Sequence, residues 1–235
     1  MRTHILLERS ERYKRAIVCG SPERAAWFAS KLQNHQPVAK NREYHSYIGQ
    51  HDGKDILVIS HGIGSAGAAI CFNELIDAGA ENIIRIGTAG GLYDDAQIGD
   101  IVIATAAARE DGVSRLMAPI ELPAMADLDL TLALRENMNG STARTKAGIV
   151  LTSDLFYAGK LPTSLNLFSS VGAIAVEMEI ATLYIVAQLK KVRAGALVVL
   201  DGNPTKQGVY DPRPERLASS IEECFKAALK TLAAI

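Results

Sequence analysis

Short apolar runs alternate with amphipathic stretches along this chain, and that alternation sets the fold class. The first run, Ala16-Ile17-Val18-Cys19-Gly20, reads as a buried strand. A helix start follows it, since Ser21 is a capping residue and Pro22 suits the first turn. Ser46 to Ile48 and Asp55 to Ser60 read as paired strands joined through His51-Asp52-Gly53. Gly64 to Asp77 reads as a helix that Gly79 ends. Asn82 to Ile86 is a predicted strand running into Gly87-Thr88-Ala89-Gly90-Gly91, and Asp100 to Ala104 and Ile149 to Thr152 are two more. Glu179 to Lys191 reads as a helix and Ala194 to Leu200 as a buried strand. From Pro214 onward, Leu217, Ile221, Cys224, Phe225, Ala228, Leu229 and Leu232 follow helical spacing. Ala108 to Met125 and Gly202 to Pro214 read as loops, the second rich enough in Gly and Pro to serve as a lid. The expectation is a single α/β domain over residues 1–235, with a central mixed β-sheet flanked by helices.

Composition narrows this picture without changing it. At 235 residues, 48% hydrophobic and 22% charged, the chain can bury a full core without disulfides or metals. A net charge of -1 gives no general attraction to nucleic acid or to an anionic membrane. Cys19, Cys71 and Cys224 form no CxxC or Cys/His cluster, so neither a disulfide framework nor a metal site is expected. Cys19 lies in an apolar run and reads as a small core residue. Residues 1–15 lack the apolar stretch of a signal peptide, and no apolar run is long enough to cross a bilayer. The expected location is the cytoplasm.

Four stretches carry candidate chemistry. Gly20-Ser21-Pro22-Glu23-Arg24 ends a strand and opens a helix, where free N–H groups and the dipole favour an anion; Arg24 adds a charge there. Taken alone it reads better as an ordinary turn with a surface arginine. Arg85-Ile86-Gly87-Thr88-Ala89-Gly90-Gly91 lets backbone approach a ligand closely, although it lacks the lysine of a phosphate-binding loop and the GxGxxG spacing. Val176-Glu177-Met178-Glu179 places two carboxylates where an apolar run enters a helix. They are either an acidic N-terminus or, if buried, groups in need of partners such as sugar hydroxyls. Asp201 lies at the C-terminal end of a buried strand, where low solvation raises a carboxyl's pKa and makes it a candidate general acid; before Gly202, Asn203 and Pro204 it also fits a turn. His4 and His61 are ambiguous, and His61 in Ser60-His61-Gly62 reads first as a satisfied structural residue.

Taken together and in order, these stretches resemble one family. Gly20-Ser21-Pro22-Glu23-Arg24, Asn41-Arg42-Glu43-Tyr44, Ser60-His61-Gly62-Ile63-Gly64, Arg85-Ile86-Gly87-Thr88, Val176-Glu177-Met178-Glu179 and Asp201-Gly202 are similar to the hexameric purine nucleoside phosphorylase and uridine phosphorylase family, and especially to malaria-parasite-type purine enzymes. The resemblance implies phosphate held by Gly20, Arg24, Arg85 and Thr88, with Arg42 reaching in from a neighbouring subunit. It places ribose contacts on Met178 and Glu179, with His4 donated by the neighbour, and base and sugar contacts on Phe156, Val176, Glu177 and Ile63. Asp201 matches the general acid of the purine enzymes.

The resemblance further implies a homo-hexamer, a trimer of dimers, that takes a nucleoside and inorganic phosphate and needs no metal or organic cofactor. Two departures bear on the base. Thr88 stands where many purine enzymes have serine and is closer to the uridine enzymes. Residues Leu161 to Ala173 offer no glutamine–arginine pair for uracil, and Asp201 replaces an apolar residue of the uridine enzymes. A uridine phosphorylase and a nucleosidase that uses water on the same fold remain the alternatives; a cluster of Arg24, Arg42 and Arg85 suits phosphate better than water.

Overall fold

The computed structural model describes residues 3–206 and 215–235. Ten strands form one mixed sheet, with helices on both faces. The chain runs β1 (Arg15–Cys19), α1 (Pro22–Ser30), β2 (Gln33–Asn41), β3 (Tyr44–His51), β4 (Lys54–Ser60), α2 (Ser65–Ala78) and β5 (Asn82–Gly91). It continues through β6 (Ile101–Arg109), α3 (Gly112–Met117), β7 (Ala124–Met125), α4 (Leu128–Asn137) and β8 (Thr145–Thr152). α5 (Leu165–Ser170), β9 (Ala173–Glu177), α6 (Ile180–Lys190), β10 (Arg193–Gly202) and α7 (Glu215–Ala233) complete it.

The sheet closes on itself at one end. β5 pairs with β10, β10 with β6, β6 with β8, β8 with β9, and β9 returns to β5 through Gly90–Val176 and Gly91–Ala175. From β5 the sheet also extends outward through β1, β4, β3 and β2. Each strand of this ring is paired on both sides, and among the described residues the free edges are on β2 and the short β7.

Side chains alternate across the sheet and feed two cores. On β1, Ala16 and Val18 join α2 and α6, while Ile17 and Cys19 join α1 and α7. β10 does the same, with Ala196, Val198 and Leu200 on one face and Leu197 and Val199 on the other. α6 is buried from Ile180 to Ala187 and apolar all round, as a helix covered on every side must be. Its Tyr184 hydroxyl donates to the Ala104 carbonyl at 2.7 Å. On the opposite face the predicted spacing of α7 holds: Leu217, Ile221, Cys224, Phe225, Ala228, Leu229 and Leu232 are all buried. The three cysteines are free thiols in the core.

The β3–β4 hairpin is the one read from sequence, with Asp52 and Gly53 at positive φ in a two-residue turn. Other elements differ from the reading. Ala108 to Met125 is not a loop: β6 runs to Arg109, and α3 and β7 follow. Asp111 caps α3 by accepting from the Ser114 N–H at 2.7 Å. The buried Arg109 guanidinium gathers the carbonyls of Pro119, Leu122, Ser114 and Ala118, which organises a segment with little apolar periodicity. β2 carried no apolar signal because it is an exposed edge strand containing Pro37. α4, α5 and β9 also went unread. The predicted lid falls mainly on residues 207–214, which lie outside the described residues; Gly202 itself closes β10. Among the described residues no helix is long and apolar enough to cross a membrane.

Phe225 stacks on Phe28 with ring centroids 4.5 Å apart and joins α7 to α1 beneath the sheet. Phe225→Ala should therefore cost about 3–5 kcal/mol, the usual range for an aromatic cavity. The check is a denaturant titration, in which the midpoint falls.

Candidate active site

A cavity of about 950 Å³ opens where the C-terminal ends of β1, β5, β9 and β10 meet. Parallel strands direct their carboxyl ends to one edge of the sheet, where α/β folds bind ligands. Gly20, Arg24, Ile63, Arg85, Thr88, Phe156, Val176, Glu177, Met178, Glu179 and Asp201 all line it. Residues far apart in sequence are thus brought together as the sequence reading anticipated.

Ser21 caps α1 by accepting from the Arg24 N–H at 3.2 Å, so the first turn of that helix faces the cavity. Burial pushes the Arg24 guanidinium below its ordinary pKa, and nearby Arg85 adds to that. Arg85 rises from the middle of β5 and folds back over Gly87. A Cβ at residue 87 would sit 1.8 Å from the Arg85 Nη1, so only glycine leaves the guanidinium this space.

Arg85 is 4% exposed and meets two carboxylates that are equally hidden. Its Nη2 donates to Glu179 and lies 3.3 Å from Glu177. Burial opposes its charge, but Glu179 and Glu177 more than offset this and raise its pKa. Among the described residues its Nε and Nη1 have no partner.

The two glutamates divide their work. Glu177 accepts from the Glu179 and Ile180 N–H groups at 2.8 and 2.9 Å, and from the Thr152 hydroxyl at 2.5 Å. It therefore anchors the start of α6, and burial raises its pKa. Glu179 accepts from the Gly64 N–H at 2.6 Å as well as from Arg85. Burial alone would raise its pKa, but Arg85, His61 and the Gly64 N–H together outweigh burial and hold it low. Gly64 has φ +91°, a conformation that L side chains rarely adopt and that aims its N–H at Glu179. The α6 start predicted at Glu179 is one residue early, since Glu179 is the residue before the first turn.

Asp201 owes its position to a β-bulge. Leu200 pairs with Ala89 and Gly202 with Gly90, so Asp201 is the extra residue between them. A bulge turns such a side chain out of the ladder, here toward the cavity. Burial raises the Asp201 pKa, with a hydrogen bond from Thr88 and the charge of Arg24 opposing it. Thr88 thus stands beside the carboxyl as well as beside the arginines.

The family model of the phosphorylase superfamily matches residues 14–235. The chain belongs to that superfamily. Within it the chain sits among the nucleoside phosphorylases. It is 38% identical to the purine nucleoside phosphorylase of Plasmodium vivax over 98% of both chains. It is 34% identical to the uridine phosphorylase of Treponema pallidum over 95% of this chain and 92% of that one. Among solved structures, the purine nucleoside phosphorylase of Toxoplasma gondii in complex with immucillin-H superposes with a TM-score of 0.95 at 31% identity. That match covers 100% of this chain and 96% of the other, and the fold is that of the nucleoside phosphorylases.

Two of the predicted site residues of this superfamily member, His4 and Arg42, lie outside the cavity. Arg42 is exposed in the turn between β2 and β3, at φ +51°. His4 lies beside it, because the Asn41 side chain donates to the His4 carbonyl at 2.8 Å. His61 is fully buried but not satisfied: neither ring nitrogen has a partner among the described residues, and burial, aided by Arg85, pushes its pKa down to about 4. Glu43, Leu155, Leu165, Asn203, Pro204 and Lys206 also line the cavity and were not singled out. Position within the quoted Asn41-Arg42-Glu43-Tyr44 motif was the only available pointer to Glu43. Among the described residues no group of three or more His, Cys, Asp or Glu is placed to hold a metal.

The raised Asp201 pKa makes a stability prediction. The folded state holds the Asp201 proton to higher pH than the unfolded chain does, so this group costs stability as pH rises through that interval. Asn has no such loss. Asp201→Asn should raise the unfolding temperature at neutral pH, and thermal melts should show that advantage shrinking as pH falls below the ordinary aspartate range.

Proposed function

We propose that this chain is a purine nucleoside phosphorylase, converting a purine nucleoside and inorganic phosphate to free base and ribose 1-phosphate. One observation carries the reading. Among the described residues the Arg85 Nε and Nη1 are buried without partners, and Arg85 lines a cavity that also holds Arg24 and Asp201, whose pKa burial raises. Orphaned guanidinium donors call for a strong multivalent acceptor, and phosphate fits their geometry. The first turn of α1 at Gly20 and the Thr88 hydroxyl add donors on the same side.

The chemistry follows from the arrangement. As the bond from C1′ to the base nitrogen breaks, positive charge builds on the sugar. A phosphate oxygen, held below C1′ by the arginines, forms the new bond. Holding the reactants together this way contributes roughly 7–11 kcal/mol in favourable cases. The departing electron pair goes to the purine, whose N7 takes the proton from Asp201. Met178 and Glu179 hold the ribose, while Phe156, Val176, Glu177 and Ile63 flank the sugar and base. The charge is handled by arginines and one carboxyl, so the reaction needs no metal or organic cofactor.

Arg42 and His4 fit a homo-oligomer, a hexamer built as a trimer of dimers. Asn41 ties His4 to the turn that carries Arg42, and both lie outside their own cavity; in the hexamer they would serve a neighbour's. The uridine reading has the Treponema relative and Thr88 in its favour. Thr88, however, acts on phosphate, which both reactions share, whereas Asp201 faces the leaving group, where they differ.

Two experiments test this. With inosine, guanosine, adenosine and uridine supplied separately, turnover should require phosphate, yield ribose 1-phosphate, and be fastest with a 6-oxopurine; equal rates without phosphate would make the protein a hydrolase. Separately, Asp201→Asn should slow inosine phosphorolysis on the order of 10²-fold, as expected for loss of a general acid. It should slow 7-methylguanosine much less, because that base already carries positive charge at N7. An equal loss with both would leave Asp201 a positioning role only.

A further inference from the structure

Glu74, on α2, is paired with His4 across 70 residues of sequence. Its Oε2 accepts the backbone N–H groups of His4 and Ile5 at 2.9 and 3.0 Å. Its Oε1 lies 2.7 Å from the His4 Nδ1. The side chain of Glu74 is largely covered, whereas that of His4 is 38% exposed. Burial alone would raise the Glu74 pKa, but the Ile5 and His4 donors outweigh it and lower it.

A carboxylate bound this way can only accept, so the proton between it and the ring belongs to the imidazole Nδ1. In the neutral imidazole the other ring nitrogen carries the lone pair. Asn41 fixes the same residue from the opposite side through its carbonyl.

We infer that Glu74 is a positioning residue for the reaction: it locks the His4 tautomer so that Nε2 accepts a hydrogen bond from the 5′-hydroxyl of a nucleoside in the neighbouring subunit's cavity. This rests on the reading above, in which His4 crosses to the neighbour. Two backbone N–H groups already dictate where an oxygen must sit at residue 74. In Glu74→Gln the amide oxygen takes that place and the NH₂ turns to the ring. The amide donates, Nδ1 becomes the acceptor, and Nε2 carries the hydrogen. The shape is kept while the polarity offered to the 5′-hydroxyl is reversed, so that hydroxyl must turn to accept where it had donated.

The test compares inosine with 5′-deoxyinosine, which lacks that hydroxyl, in the full-length wild type, Glu74→Gln, His4→Ala and the double variant. Glu74→Gln should lower kcat/KM for inosine about tenfold, the scale of one lost hydrogen bond. It should leave 5′-deoxyinosine within about twofold, and the double variant should add nothing beyond His4→Ala, as expected of coupled residues. A Glu74→Gln variant that slows both nucleosides alike is merely loosening the N-terminal segment, and that result overturns the inference. So does a loss that adds to that of His4→Ala. If His4→Ala itself leaves the ratio of the two nucleosides unchanged, His4 does not reach the site and the inference falls with that donation. The phosphate dependence of turnover would still stand or fall separately.

Discussion

A guanidinium with almost no contact with water is the constraint around which this structure is arranged. Arg85 projects from a strand paired on both sides, and the fold holds its charge almost wholly out of solvent at the wall of the cavity. A buried charge is tolerated only with partners, and the chain supplies two from the neighbouring strand end, Glu177 and Glu179. That requirement explains why β9 must return to β5 at Gly90 and Gly91, and so why the sheet closes into a ring. It also explains why residue 87 is glycine. Satisfying only part of the guanidinium leaves donors for an anion, which is how a packing problem becomes a binding site.

The two glutamates show how neighbouring residues of one kind acquire different characters. Glu177 is consumed by the backbone of α6 and by Thr152, and its environment favours the neutral form. Glu179 takes Arg85 and a glycine N–H and stays charged. Attaching one to the scaffold frees the other to face the cavity. Arg24 and Arg85 thus meet in a cavity where burial raises the pKa of both Glu177 and Asp201 while Glu179 is held low.

Much of this was legible in the sequence where burial is periodic. The apolar runs of β1, β5 and β10 and the helical spacing of α7 are direct consequences of covering both faces of a sheet. The site was legible through its motifs, because strand ends and helix starts advertise themselves with Gly, Pro and Ser. What stayed hidden depends on contacts between distant residues. β2 is polar because nothing covers it. The segment after β6 is ordered by one arginine binding four carbonyls, which no local pattern reveals. His61 looked like a satisfied histidine, and only the packing around it shows two bare nitrogens. Glu74 is one more acidic residue on a helix until the N-terminal segment is seen folding over it.

The bulge at Asp201 has a consequence for how such a protein can diverge. Because that residue has no cross-strand partner, replacing it leaves the β5–β10 ladder and both cores untouched. Arg85 has no such freedom, since changing it strands two buried carboxylates. The cavity therefore has a rigid end and a permissive end. A lineage can exchange the group that meets the leaving base while inheriting the anion-holding half unchanged, so neighbouring members of one superfamily can part company over their substrates without rebuilding the scaffold.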